Sequence, residues 1–373
     1  MSSAMGRLFF DYSTMVRWHG RPTGIPRTVE RLAHSFKAVN PETVFISIDE
    51  ELQGFRNFDL ETCQTGAVVE FESGDRVFSC GANWAFACYN PVVRGLVASG
   101  VDFYQLFYDM IPSLFPHFYE QAEGYGNYMG SWTRETLELV KSSFAISEAT
   151  RQDVYAWTGV SPESKEIAVV RLGDELDALE SVDEGEVEKK FGYLGDFILS
   201  VGTLELRKNH AALLNAYRLL DADGKRELPN LVIVGRPGWL NNSLEFQCQH
   251  DPAIKGKVFV LSDISDGELD YLYRKCQFTV FPSLYEGWGL PIAESLRYGK
   301  QCVASSTSSM VEIAPNLVRF AHPLKPDEWA SHIFELASNR TMLASENELI
   351  GSTYTGSTWD ACARTILHKL IEQ

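Results

Sequence analysis

The chain has 373 residues, 45% apolar and 12% aromatic, with a net charge of −17 at pH 7. That length allows two domains of ordinary size, the composition argues for packed cores over disorder, and the charge argues against general nucleic-acid binding. No apolar run approaches the roughly 18 residues that span a bilayer, the first dozen residues lack a secretory signal, and seven cysteines without a Cys-x-x-Cys spacing speak for reduced thiols in the cytoplasm.

Short β-branched or aromatic runs alternate with amphipathic segments, the pattern of an α/β protein with mostly parallel sheets. In the first half, strands are predicted at 7–13, 43–48, 76–80, 101–108, 143–147 and 167–172, and helices over 25–38, 90–99, 130–141 and 148–158. The stretch FFDYSTMVRWHGRPTGIPRTVERLAHSF (9–36) runs from a strand through a loop into a helix. Gly24 and Pro26 punctuate the helix start, so the N–H groups around Gly24 and Ile25 form a potential anion nest. Residues 1–40 carry six basic side chains against two acidic ones. Arg17, Arg21 and Arg27 are therefore candidates for a phosphate or another anion, and Arg17 and Arg21 with Trp18 for a membrane surface. The plain alternative is a set of solvated arginines. FYDMIPSLFPHFY (107–119) follows another strand and places Asp109 just after it. His117 is the other ionisable group nearby, although a histidine in an aromatic stretch is more often packed and satisfied. Ser147 heads SEATRQDV as a helix N-cap.

The segment DELDALESVDEGEVEKKFGYLGD (174–196) is acidic, glycine-punctuated and poor in β-branched residues, and reads as a linker. The expected division is a first domain over 1–175, a linker over 176–196, a second domain over 197–355, and a C-terminal helix in 356–373 that packs back on the first domain. In the second half, strands are predicted at 197–202, 230–235, 257–261, 278–282 and 301–305, with helices near 209–221, 266–275, 291–298 and 357–370. Two Rossmann-like domains with a ligand cleft at the carboxyl ends of their strands follow from this order.

Chemistry concentrates in FPSLYEGWGLPIAESLRYGK (281–300). Pro291 suits the first position of a helix and Gly299 the position that ends it. The loop feeds the helix N-terminus at Leu290, so free N–H groups and the positive end of the dipole make an anion site, best suited to phosphate. Gly287 and Gly289 let the backbone approach a ligand with no Cβ in the way, and Trp288 stands between them. Glu294, in the first turn, can accept from a ribose diol, and Glu286 can meet hydroxyls on the other side of the phosphates. Two carboxylates around a phosphate site make sense for a sugar joined to a nucleoside through a diphosphate. The bland reading is a stabilised helix start and a capped turn. Upstream, in SVGTLELRKNHAALLNAY (200–217), Arg207 and Lys208 precede a helix, where they can neutralise charge developing on a diphosphate leaving group.

YEGWGLPIAESLRYGK resembles the Glu–seven residues–Glu signature of retaining GT-B glycosyltransferases, the group called family four. The resemblance implies a GT-B fold, two Rossmann-like domains with parallel sheets facing across a cleft. It gives Glu294 the ribose and Glu286 the transferred sugar, with Trp288 where many members have Phe. Lys208 matches the family's diphosphate-binding lysine. Thr203 stands where many members carry arginine after the strand's glycine, and Arg207 is placed to compensate. LVIVGRPGW and LSDISDGELDYLYRKC resemble the strand ends where the base sits, near Gly235 and from Ser262 to Ile264. Glu312, after a small-residue loop, resembles a family glutamate, with helix support as the alternative. Gly24 and Arg27 fall in a segment similar to TGI-x-R of polysaccharide-building members. Tyr108 occupies the place of a histidine in the family's His-Asp-x-x-Pro region, which leaves Asp109 as the retained residue and implies its polar contact to the sugar or acceptor.

The resemblance to bacterial O-antigen and capsule mannosyl- or rhamnosyltransferases implies a GDP-mannose-like donor and a polysaccharide or lipid-linked glycan acceptor. It further implies retention of configuration, no cofactor and no metal, since no Asp-x-Asp metal motif of the usual kind is present. Work in the cytoplasm, peripheral to the inner membrane face, fits that acceptor. An epimerase or hydrolase of the same shape, or a non-catalytic nucleotide-sugar binding module, stays open as an alternative. A dinucleotide-dependent dehydrogenase does not fit, for no strand is followed by Gly-x-Gly-x-x-Gly.

Overall fold

The computed structural model describes residues 6–20, 22–119, 122–175, 183–238 and 243–372, and the chain divides into two units. The first takes the residues up to Leu114, then Glu123–Gly173 and Ser357 onward; the second takes Phe115–Ala122 and Asp174–Gly356. The short segment from Phe115, expected within the first domain, thus groups with the second unit.

In chain order the first unit builds β1 (Leu8–Asp11), α1 (Ser13–Val16), α2 (Ile25–Val39), β2 (Val44–Asp49), β3 (Gly54–Asp59), β4 (Gln64–Val68), β5 (Arg76–Ser79), α3 (Tyr89–Ala98), β6 (Asp102–Phe107), α4 (Ile111–Leu114), α5 (Ala122–Leu139), β7 (Ser142–Ala145), α6 (Glu148–Thr158) and β8 (Ile167–Val169). Its sheet runs β4-β3-β2-β1-β5-β6-β7-β8. From β2 to β8 every pairing is parallel, and β3–β4 is an antiparallel hairpin at one edge. β1 is buried along its whole length because it lies inside a parallel sheet, which explains the apolar run Leu8–Phe10 before Asp11. On α2, Val29, Leu32, Ala33 and Phe36 are buried at helical spacing, and Phe36 stacks on Phe78 with centroids 5.3 Å apart.

The second unit contains α7 (Glu184–Phe191), β9 (Phe197–Val201), α8 (His210–Ala222), β10 (Asn230–Val234), α9 (Leu244–His250), β11 (Val258–Leu261), α10 (Asp266–Lys275), β12 (Thr279–Phe281), α11 (Leu290–Arg297), β13 (Cys302–Ser305), β14 (Arg319–Ala321), α12 (Pro326–Ser338) and α13 (Arg340–Thr353). Its strands pair in parallel in the order β11-β10-β9-β12-β13-β14. Numbered within the unit this is 3-2-1-4-5-6, the doubly wound Rossmann order, whose direction reverses between β9 and β12. The chain then returns to the first unit with α14 (Trp359–Glu372).

Part of the expected linker is helix. Asp183 caps α7 through Gly185 N at 2.8 Å, and Val187, Phe191 and Leu194 are buried in a core cluster of the second unit. Residues 176–182 of that linker lie outside the described residues. α5 starts well before the predicted 130 because its glycines serve packing rather than breaking the helix. A Cβ on Gly126 would lie 2.4 Å from the Pro112 carbonyl oxygen, and one on Gly130 would lie 2.0 Å from Trp157 Nε1. Among the described residues no helix is long and apolar enough to cross a membrane.

Candidate functional site

β9 and β12 are neighbours at the reversal point of the second sheet, the place where open α/β sheets bind ligands at strand carboxyl ends. Leaving β9, the chain turns through Gly202 (φ +157°) and a short 3₁₀ turn, Leu206–Lys208. Asn209 then takes a left-handed conformation at φ 54°, which asparagine tolerates. Its Nδ2 donates to the carbonyls of Pro282 (3.0 Å) and Pro323 (2.9 Å). Leu284 N donates to Arg207 O at 2.8 Å, so the loops after β9 and β12 are tied together. β10 closes on the same point, where a Cβ on Gly235 would sit 1.9 Å from the Gly202 carbonyl oxygen.

These ties bring Arg207 and Lys208 onto the Glu286 carboxylate. Arg207 Nη1 lies 2.6 Å from Glu286 Oε2, and Lys208 Nζ lies 2.6 Å from Oε1. Arg207 Nη1 also donates to Tyr285 O at 2.8 Å, while its Nη2 meets Glu205 Oε1 at 2.7 Å. Glu205 and Glu286 are both buried. Burial works against the Glu286 charge, but Arg207 and Lys208 override it and hold the carboxyl at about 2. Burial pushes the Lys208 ammonium down, against the pull of Glu286. The four side chains form two cations facing two carboxylates in low dielectric, the setting in which charge pairs matter most.

Beyond Glu286 the loop is fixed from behind. Glu286 N donates to Ser308 Oγ at 3.0 Å, and Ser309 Oγ lies 2.9 and 2.7 Å from the carbonyls of Glu286 and Trp288. Gly287 and Trp288 are buried, and Trp288 Nε1 finds no acceptor among the described residues. Gly289, at φ 122°, heads α11, which begins at Leu290 with Pro291 second. Glu294 is buried one turn in, and its Oε2 accepts from Tyr273 OH at 2.9 Å. Burial, then the Glu294 charge, keep Tyr273 protonated as a donor. Tyr273 stacks on Tyr298 with centroids 5.0 Å apart.

Other expected residues fall elsewhere. In the second unit Thr203 and Ser262 are exposed, and Ile264 packs on a core cluster. His117 is exposed in a 3₁₀ turn that groups with the second unit, beside Phe115, whose ring lies 4.9 Å from Tyr285. In the first unit Gly24 (φ 59°) heads α2 and its carbonyl accepts from Thr28 N at 3.1 Å. Arg27 is half-buried in the first turn of α2. Arg17 pairs with Glu50 and lies 4.4 Å over the Phe86 ring, so it is not a bare surface cation. Asp109 Oδ1 accepts from Ile111 N at 2.9 Å, as a cap on α4. Tyr108 is buried and donates to Cys80 O at 2.6 Å, a packing role. Arg21 lies outside the described residues. Sequence reasoning missed Glu205, Tyr273, Ser308 and Ser309. Glu205 carried a signal, standing two residues before Arg207 in one loop; the others touch the site only through the fold.

Residues 189–350 match the family described as glycosyl transferases group 1. The O-antigen chain mannosyltransferase B of Escherichia coli is 34% identical over 139 residues, 37% of this chain and 36% of that protein. A serotype-specific mannosyltransferase WbdA of Escherichia coli is 28% identical over 211 residues, 55% of this chain and 25% of its own length. The chain thus spans well under half of these curated relatives. Among solved structures, Anabaena Alr3699/HepE in complex with UDP-glucose superposes with a TM-score of 0.70 at 14% identity, covering 98% of this chain and 100% of that one. WaaG, a glycosyltransferase involved in lipopolysaccharide biosynthesis, gives 0.65 at 13% identity, over 98% and 100%. Residues 189–350 thus resemble the glycosyl transferases group 1 family, in a chain of GT-B fold.

Proposed function

We propose that this chain transfers a hexose from a nucleoside-diphosphate sugar, of the GDP-mannose class, to a hydroxyl of a polysaccharide or lipid-linked glycan, with retention and without a metal. The observation that carries the reading is the Arg207–Glu286–Lys208 cluster at the reversal point of the second sheet, with Glu294 on the adjoining helix start. In this reading Glu294 accepts from the ribose hydroxyls while Tyr273 holds its other side. The N-terminus of α11, Lys208 and Arg207 take the diphosphate. Glu286 accepts from hydroxyls of the transferred sugar.

In the reaction the bond from the sugar C1 to the β-phosphate oxygen breaks and a bond from C1 to the acceptor oxygen forms. The electron pair stays on the departing diphosphate, where the two cations stabilise it more strongly than in the ground state. The acceptor's proton goes to a leaving phosphate oxygen. Both relatives above are named mannosyltransferases, which supports mannose as the sugar. The acceptor falls to the first unit, with Arg17, Arg27 and Asp109 as its candidates, and the place of work to the inner face of the cytoplasmic membrane.

The test is incubation of the purified protein with GDP-mannose, UDP-glucose or dTDP-rhamnose and a lipid-linked glycan, with and without EDTA. Acceptor-dependent transfer, unchanged by EDTA and of retained anomeric configuration by NMR, is expected. Sugar released or converted without acceptor would contradict transfer and favour a hydrolase or epimerase.

A further inference from the structure

Glu286 holds the two cations that the donor's diphosphate needs. Its two oxygens lie 2.6 Å from Arg207 and 2.6 Å from Lys208, the spacing of strong charge-assisted hydrogen bonds. Glu205 holds the remaining arm of Arg207 at 2.7 Å. Two carboxylates therefore cancel two cations, and an arriving phosphate meets a site whose positive charge is already used. It can gain that charge only by taking the place of one carboxylate. Glu205 stands two residues from Arg207 in the same loop; Glu286 comes from the loop after the other strand and contacts both cations, so Glu286 is the group displaced.

On that basis, and resting on the donor site proposed above, we infer that Glu286 makes the site prefer the intact nucleotide sugar over its nucleoside-diphosphate product. The mechanism is an exchange of partners. The diphosphate takes Arg207 and Lys208, and the released carboxylate needs new donors in a buried place. A sugar on the diphosphate supplies them as hydroxyls; a bare diphosphate supplies none and leaves a buried charge with its cations gone and the Ser283 hydroxyl beside it, which is costly. After transfer the sugar is gone, so Glu286 reclaims the cations and drives the product out. The deep hold of Arg207 and Lys208 on the Glu286 charge is in keeping with such competition.

The test is calorimetric titration of the whole chain with two pairs, GDP against GDP-mannose and UDP against UDP-glucose, in wild type and Glu286→Gln. Glutamine keeps the shape and the accepting oxygen but removes the competing charge. In the pair that wild type binds, the sugar nucleotide is expected to bind about tenfold or more tightly than the diphosphate, the scale set by one buried charge that has lost its cations. In Glu286→Gln the bare diphosphate should tighten by a similar factor, so the preference collapses toward one. Diphosphate binding unchanged or weakened by Glu286→Gln overturns the inference while leaving the donor site in place. Wild type that binds neither pair overturns the donor site and the inference with it. If Glu286→Gln does not fold, the wild-type ratio decides: diphosphate bound as tightly as the sugar nucleotide overturns the inference.

Discussion

A buried lysine is stable only with a partner that offsets its desolvation, and Lys208 has one in Glu286. If that ammonium also meets the leaving diphosphate, Lys208→Ala should lower turnover by about 10²-fold, the usual size for losing one preorganised charge stabiliser. Kinetics at saturating donor check this, and an effect confined to stability would contradict it. Its neighbour His210 is buried, and burial, then the Lys208 charge, hold it at about 4 instead of 6.5. The unfolded chain takes up a proton below 6.5 that the folded chain refuses until about 4. Stability should therefore fall as pH drops through that window, by at most about 1.4 kcal/mol per pH unit from this group. The Glu286 window is lower, from 4.5 to about 2, and there too stability is lost as pH falls. Denaturant titrations between pH 7 and 4 should show the upper slope in wild type and a flatter one in His210→Gln; equal slopes would contradict this. Lys208, Arg207 and Glu286 stood out in the sequence as charged loop residues between strand and helix, and the fold brings them together. Glu205 and Tyr273 were not singled out, since one carboxylate among many and one helical tyrosine carry no local mark of what they touch.

At the scale of elements, the site depends on three loops meeting without side chains in the way. Gly235 closes β10 against the turn after β9, and a methyl there would have to displace backbone, not a flexible side chain. Gly235→Ala should cost about 2 kcal/mol or more and weaken nucleotide binding beyond what the stability loss explains. Melting and titration of the same sample separate the two effects, and an unaltered affinity would contradict it. Most central strands and their helices were legible from apolar runs alternating with amphipathic stretches. The edge hairpin was not, because β4 is exposed along its length and shows no alternation. The start of α5 was hidden by glycines that local propensity reads as breakers. For α12 the signal was present: Pro326 opens it, Asp327 and Glu328 follow, and Trp329, Ile333 and Leu336 are buried at helical spacing.

For the molecule as a whole, the return of the chain to the first unit rests on α14. Trp359, Cys362, Ala363, Ile366, Leu367 and Leu370 are buried at i, i+3, i+4 spacing, and the helix packs on α2. Arg76 Nη1 donates to the Leu370 carbonyl at 3.1 Å, satisfying one of the groups a helix end leaves open. From the sequence this helix is expected to pack back on the first domain, although an apolar face alone does not say what it covers. The grouping of Phe115–Ala122 with the second unit was not legible, because so short a segment carries no mark of the core it joins.

The central claim, that the second unit holds a nucleoside diphosphate sugar through Lys208, Glu286 and Glu294, is tested most directly by a thermal-shift panel. GDP-mannose, UDP-glucose, dTDP-rhamnose and ADP-glucose are compared, with and without magnesium, on wild type and Glu294→Ala. A ligand at about a hundred times its dissociation constant adds roughly 2.7 kcal/mol, a shift of a few degrees. The account predicts that one nucleotide sugar stands out, GDP-mannose first, indifferent to magnesium and lost in Glu294→Ala. A flat panel, or a shift that survives Glu294→Ala unchanged, would contradict it.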